Sequence, residues 1–285
     1  MSIKRVGIVG SGIMGSGIAE TASVHGFEVV LRSRSQSTAD AMVAAMEKSL
    51  SKQVEKEKLS QADRDAALSR VTAVSDLGEL AGCDLVIESV VEDLTVKRHL
   101  FSELDRICAE HAILATNTST LPVVEMAMET GRPQQVCGIH FFNPAPVMSL
   151  VEVVRTITSS DETVAAARGF AESCGKSPVE VKDQAGFIVN ALLFPYLNNA
   201  VRLLEQGVAS REDIDTAMKG GCGFPMGPFA LLDLVGLDTS LAILDALYTE
   251  FRDPNYAAMP LLRRMVAAEQ LGRKSGKGFY DYHKK

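Results

Sequence analysis

The sequence predicts an α/β N-terminal domain built on a doubly wound, mostly parallel sheet, followed by an all-helical C-terminal domain. Three observations carry that prediction. Short apolar runs alternate with helix-period segments through the first half, a glycine turn follows the first run at once, and helical periodicity takes over after residue 181.

The apolar runs at 6–9, 29–31, 85–87, 113–115 and 136–139 read as short buried strands. Between them, 18–25, 41–54 and 96–108 repeat apolar residues at helical spacing, which makes βαβ units with helices on both faces of the sheet. Ser60, with Asp63 three residues later, opens a further short helix. An apolar strand through His140 and Phe142 is broken at Asn143, Pro144, Ala145 and Pro146 and resumes at 150–154, and 179–181 is the last run. The change of character near 182–186 divides the chain into an expected dinucleotide-binding domain, 1–183, and a helical domain, 184–285. Helices are expected there over 187–206, after a cap at Ser210, and over 238–251 and 261–271.

With 285 residues, 46% hydrophobic and 23% charged, the chain can bury a sizeable core in two domains. A net charge of −7 argues against a nucleic-acid partner, which needs a positive field. The five cysteines are scattered without a C-x-x-C pair, so no zinc site or disulfide framework is expected, and a reducing compartment is. No apolar run approaches the ~20 residues of a membrane span. Residues 1–5 lead straight into a strand without a leader-like segment, so a cytoplasmic protein with no membrane partner is expected.

Gly10, Gly12 and Gly15 stand between the first strand and the first helix in a G-x-G-x-x-G pattern. A bare match is more often a flexible turn; a strand before it and a helix after it make it a dinucleotide site of the Rossmann kind. Gly10 allows the tight turn, Gly12 lets the backbone approach a pyrophosphate, and Gly15 lets helix and strand pack closely. The N–H groups around Ile13 and Met14 then face the phosphates from the helix N-terminus. At the end of the second strand an acidic residue would bind the ribose hydroxyls and repel a 2′-phosphate. Arg32, Ser33, Arg34 and Ser35 stand there instead. Two guanidinium forks and two hydroxyls suit a phosphate dianion, so NADP(H) is expected to be favoured, with NAD(H) the alternative. The plain alternative is a solvated basic turn.

His140 and Glu152 are equally far from Pro146, so a hairpin-like return would bring them together on one face. A histidine oriented by a carboxylate is what alcohol oxidation requires: the imidazole takes the hydroxyl proton while hydride leaves the same carbon. The competing reading is a hydrogen-bonded core histidine and a solvent-facing glutamate. His25, His99, His111 and His283 read as surface residues.

Further motifs are NTSTL at 117–121, HFFNPAPVM at 140–148, GFIVN at 186–190, PMGP at 225–228 and GRKSGKGFY at 272–280. Through these and the glycine turn the chain resembles, over almost its whole length, the short-chain (S)-3-hydroxyacyl-CoA dehydrogenase family, especially its bacterial 3-hydroxybutyryl-CoA members. The resemblance implies a short-chain acyl-CoA substrate, C4 in first place, a helical C-terminal domain that forms a homodimer, and catalysis in the cleft between the domains. It implies that His140 and Glu152 are the catalytic pair, that Ser119 and Asn190 contact the substrate, and that Glu92, Lys97, Asn143 and Lys274 contact the cofactor. It gives Ser49, Lys52 and Lys56 to coenzyme A. Read by themselves, Ser119 is a turn hydroxyl, Asn190 a helix cap, Lys97 and Lys274 exposed cations, and the segment around Lys52 a solvated helix face. The family's acidic residue after the second strand is replaced here by Ser33. Two other readings stand beside this one: a β-hydroxyacid dehydrogenase with a catalytic lysine, acting on a free acid, and a catalytically idle, crystallin-like relative.

Overall fold

The first apolar run forms β1 (Arg5–Val9), and α1 (Ile13–Val24) begins inside the glycine turn rather than after it. There follow β2 (Glu28–Arg32), α2 (Gln36–Glu55), α3 (Gln61–Ser69), β3 (Val71–Val74), β4 (Leu85–Glu88), α4 (Leu94–Ile107) and β5 (Ile113–Thr116). Next come α5 (Val123–Ala127), β6 (Val136–Phe141), β7 (Leu150–Arg155), α6 (Asp161–Ser173) and β8 (Ser177–Lys182). These elements belong to one unit, Met1–Gln184, and a second unit spans Ala185–Lys285. The computed structural model describes residues 3–283.

The strands of the first unit form one sheet in the order β3-β2-β1-β4-β5-β6-β7-β8. Pairing is parallel from β3 to β6, antiparallel between β6 and β7, and parallel again between β7 and β8. The chain winds outward from β1 to β3 and returns to β4 on the other side of β1. The carboxyl ends of β1 and β4 therefore flank the crevice where doubly wound sheets take ligands. Every residue of β4, β5 and β6 is buried, as continuous apolar strands covered on both faces should be. On one face Ile8, Ile87 and Ala115 pack with Ile18 of α1, Met46 of α2 and Phe170 of α6. Each large side chain so buried contributes roughly 1.5–3 kcal/mol.

Sequence patterning misses the elements that lack an apolar run. β3 is a half-buried edge strand with Thr72 exposed. Neither the five-residue α5 nor α6, capped by the Ser160 hydroxyl on the Thr163 N–H, was predicted.

The second unit holds α7 (Val189–Glu205), α8 (Arg211–Cys222), α9 (Pro228–Val235), α10 (Leu237–Phe251) and α11 (Pro260–Ala267). Phe194, Leu197, Phe229, Leu232 and Leu244 lie in its core. α8 is capped by Ser210 as the sequence predicts. α9, which the sequence reading lacks, is capped from α8: the Asp215 carboxylate accepts the Phe229 and Ala230 N–H groups at 2.8 and 3.1 Å. Asp233 accepts the N–H groups of Phe279 and Tyr280, each at 2.9 Å, so part of the GRKSGKGFY motif anchors the C-terminal segment. Among the described residues no helix is long and apolar enough to cross a membrane.

Candidate active site

His140 in β6 and Glu152 in β7 are direct cross-strand partners. Residues on one face of an antiparallel pair lie within reach of each other, and His140 Nδ1 is 2.8 Å from Glu152 Oε2. Glu152 is 0% exposed and His140 5%. A buried carboxylate on Nδ1 fixes the neutral tautomer that donates from Nδ1 and accepts at Nε2. The Ser119 hydroxyl lies 3.1 Å from Nε2. The Phe142 ring packs against the imidazole at 4.6 Å. Asn117 Oδ1 accepts the Phe141 N–H at 2.8 Å and so ties the end of β6 to the loop that carries Ser119.

That loop is held in turn by Glu92. Its Oε1 accepts the Ser119 N–H at 2.9 Å and the Thr118 hydroxyl. Its Oε2 is 3.2 Å from Lys97 Nζ. Lys97 is no exposed cation: it is 1% exposed, and its ammonium also donates to Glu88 Oε1 at 2.7 Å. The exposed-cation reading overlooks that a lysine nine residues after a strand-end glutamate can pair with it beneath the first turn of α4. Glu88 itself was missed, because the apolar run was read as ending at Ile87. An acidic residue closing a wholly apolar run was the available signal.

The glycine turn has the geometry that a dinucleotide needs. Gly10 has φ +135°, and a Cβ there would stand 2.2 Å from the Ser89 carbonyl oxygen. A Cβ on Gly15 would meet the Gly10 carbonyl oxygen at 2.3 Å, so the close approach is of helix to turn more than of helix to strand. Around Gly12 a Cβ would meet open space. The first turn of α1, with Ile13 exposed, has neither a side-chain cap nor an acidic residue. Its N–H groups are thus the donors that a pyrophosphate would use.

The four residues expected to form a phosphate site, Arg32–Ser35, differ in exposure. Ser33 is buried, and its hydroxyl is bonded to that of Thr38 in the first turn of α2. Arg32 is half-buried at the end of β2, and its Nε donates to the Ser75 carbonyl at 3.2 Å. Burial lowers its pKa. Arg34 and Ser35 are exposed, and Ser35 caps α2.

Ser49, Lys52 and Lys56 line a cleft of about 950 Å³ between α1, α2 and the Asn143–Val147 loop. Lys56 is the C-cap of α2 rather than a residue of its helical face, because α2 ends at Glu55. Lys58 and Glu20 also line the cleft and were not singled out from the sequence. Glu20 is buried, accepts from Gln53 Nε2 at 2.7 Å, and has its carboxyl pushed up by burial. Asn143, two residues beyond the end of β6, lines the same cleft.

Asn190 and Lys274 belong to the second unit. Asn190 is buried in the first turn of α7. Lys274 is half-exposed and paired with Asp238 at 2.6 Å. His25, His99, His111 and His283 are exposed. Cys83, Cys137 and Cys174 are buried, and burial pushes each thiol up to about 12, which makes them inert at neutral pH. No group of three or more His, Cys, Asp or Glu that could hold a metal ion occurs among the described residues.

Residues 5–184 match the family model of the 3-hydroxyacyl-CoA dehydrogenase NAD binding domain, and residues 186–282 match that of the 3-hydroxyacyl-CoA dehydrogenase C-terminal domain. The chain is 48% identical to a 3-hydroxybutyryl-CoA dehydrogenase of Clostridioides difficile, covering 98% of this chain and 100% of that one. The crystal structure of M. tuberculosis FadB2 superposes with a TM-score of 0.97 at 47% identity, covering 99% of this chain and 100% of that one. That of (S)-3-hydroxybutyryl-CoA dehydrogenase PaaH1 from Ralstonia eutropha does so with 0.96 at 44% identity, covering 99% of each. With both of its units matched, and relatives similar from end to end, this chain belongs to the 3-hydroxyacyl-CoA dehydrogenase family.

Proposed function

We propose that this chain interconverts a short-chain (S)-3-hydroxyacyl-CoA, 3-hydroxybutyryl-CoA in first place, and its 3-oxoacyl thioester. The observation that carries the proposal is the line Ser119–His140–Glu152, with contacts of 3.1 and 2.8 Å. In oxidation, His140 Nε2 accepts the proton of the substrate's 3-hydroxyl while Ser119 holds that oxygen in place. Glu152 stabilises the resulting imidazolium and keeps the ring in orientation. In reduction, the imidazolium returns the proton to the oxygen. The chemistry that a nicotinamide dinucleotide would supply here, when bound, is a hydride acceptor for C3 in oxidation and a hydride donor in reduction. The uncapped N-terminus of α1 is the fitting seat for its pyrophosphate, and Lys52, Lys56 and Lys58 suit the phosphates of coenzyme A.

Cofactor choice follows from the end of β2. Residue 33 brings no carboxylate to repel a 2′-phosphate, and Arg34 with Ser35 stands exposed at the N-terminus of α2, whose first turn has no acidic residue. NADP(H) is therefore the proposed preference over NAD(H). Leu192, Val208 and Leu234, exposed on the second unit, support a homodimer through that unit, and the location proposed is the cytoplasm. A monomeric mass in light scattering would reject the dimer.

The test is steady-state reduction of acetoacetyl-CoA with NADH and NADPH side by side. Turnover with both and a higher kcat/KM with NADPH is expected. An equal or higher value with NADH overturns the cofactor preference, and reduction of free acetoacetate but not of the thioester overturns the substrate class.

A further inference from the structure

Glu88 is a buried carboxylate that the reaction itself does not use. It closes β4 next to β1, is 0% exposed, and has both oxygens engaged. Oε1 accepts the Val90 N–H at 2.6 Å and the Lys97 ammonium at 2.7 Å. Oε2 accepts the Thr116 hydroxyl at 2.7 Å. Three elements are thus joined at one side chain: the loop after β4, the first turn of α4, and the end of β5.

The consequence runs toward the reacting histidine. Lys97 stands between two carboxylates, Glu88 at 2.7 Å and Glu92 at 3.2 Å. Glu92 in turn holds the Ser119 N–H at 2.9 Å, and the Ser119 hydroxyl meets His140 Nε2 at 3.1 Å. An unbroken line of charged and hydrogen-bonded groups therefore leads from Glu88 to His140. Glu92 is half-exposed: Oε1 is taken up by the 118–119 loop, and Oε2 is set by an ammonium that Glu88 holds in place.

We infer that Glu88 is a positioning residue: through Lys97 it orients Glu92 and thereby sets Ser119 against His140. The inference rests on the proposed role of Ser119 and His140. A buried charge whose partners are themselves fixed keeps a site within the fraction of an ångström that proton transfer requires.

The isosteric Glu88→Gln keeps the volume and removes the charge that holds Lys97. It is expected to lower kcat for acetoacetyl-CoA reduction about tenfold or more, with KM for the thioester within about threefold. Amide hydrogen exchange of the 117–121 segment in the ligand-free protein should accelerate about tenfold, since Glu92 no longer holds the Ser119 N–H. Glu88→Gln combined with Lys97→Met should turn over no more slowly than Lys97→Met alone, because both act along one line. A kcat within twofold of wild type, unchanged exchange, or effects that multiply in the double variant would each overturn the inference. Should Glu88→Gln not fold, Glu88→Asp carries the test: it keeps the charge but draws the carboxylate back from Lys97 by one methylene, with a roughly threefold fall in kcat expected and an unchanged kcat overturning. A wild-type protein that does not reduce acetoacetyl-CoA rejects the functional reading instead, while the exchange measurement still judges Glu88.

Discussion

The carboxyl ends of β4 to β6, with the start of β7 beside them, and the cleft along α1 and α2 handle charge in opposite ways, though they belong to the same unit. At the strand ends Glu88, Lys97 and Glu152 are buried, and each lies within 2.8 Å of an oppositely charged or ionisable partner. In the cleft Lys52, Lys56 and Lys58 are exposed. A buried charge stripped of its partner costs about 3–5 kcal/mol, so the strand ends tolerate only the geometry they have. Exposed lysines carry no such penalty and hold their charge ready for a mobile anion. The difference separates a part built to place a proton from a part built to hold a handle.

The hardest test of that contrast is Glu152→Gln. It preserves shape and hydrogen-bonding reach but removes the charge opposite the imidazolium. kcat should fall by roughly 10³-fold or more, while dinucleotide binding, followed by fluorescence quenching, stays within twofold of wild type. Retention of a tenth of the activity would mean that the buried pair is not where the proton moves.

At the other region the expected effect is smaller and of another kind. Lys56→Glu should raise KM for acetoacetyl-CoA about tenfold, the order expected for one phosphate contact reversed in sign. kcat should change little. A truncated thioester that lacks the nucleotide should show no such rise. Equal rises for both substrates would place the nucleotide elsewhere.

How much of this was legible beforehand follows the same division. The glycine turn and the fully buried strands are local consequences of apolar runs and of glycine spacing, and both are plain in the sequence. The His140–Glu152 pair was legible because Pro146 stands midway between them, so symmetry about the turn sets the register. The burial of Ser33 and of Lys97 was not legible, for a shared reason. Whether a polar side chain faces inward depends on partners far away in sequence or on the start of the next helix, and no periodicity records that. Glu88 illustrates the same limit, since its partner Thr116 lies 28 residues on. Edge strand β3 was missed because a half-exposed strand needs few apolar residues and so leaves no run.

Glu20 crosses the division, being a buried carboxylate on the wall of the basic cleft, and its titration gives the finest test. Burial pushes its carboxyl above the ordinary 4.5, against the opposing hydrogen bonds from Ser49 and Gln53. The native protein therefore holds this proton more tightly than the unfolded chain. Below pH 4.5 both states are protonated and the group costs no stability. As pH rises through that value the unfolded chain releases its proton first, so stability falls until the native carboxyl ionises as well. Glu20→Gln removes the loss. Its melting temperature should exceed that of wild type by about 1–3 °C at pH 7.5, and the two should converge at pH 4. At pH 7.5 KM for the CoA thioester should also fall, roughly twofold, because one negative charge leaves the cleft. A gain of the same size at both pH values would show that Glu20 acts through packing rather than through its buried charge. The cleft would then be a surface tuned by its lysines, without the carboxylate's part.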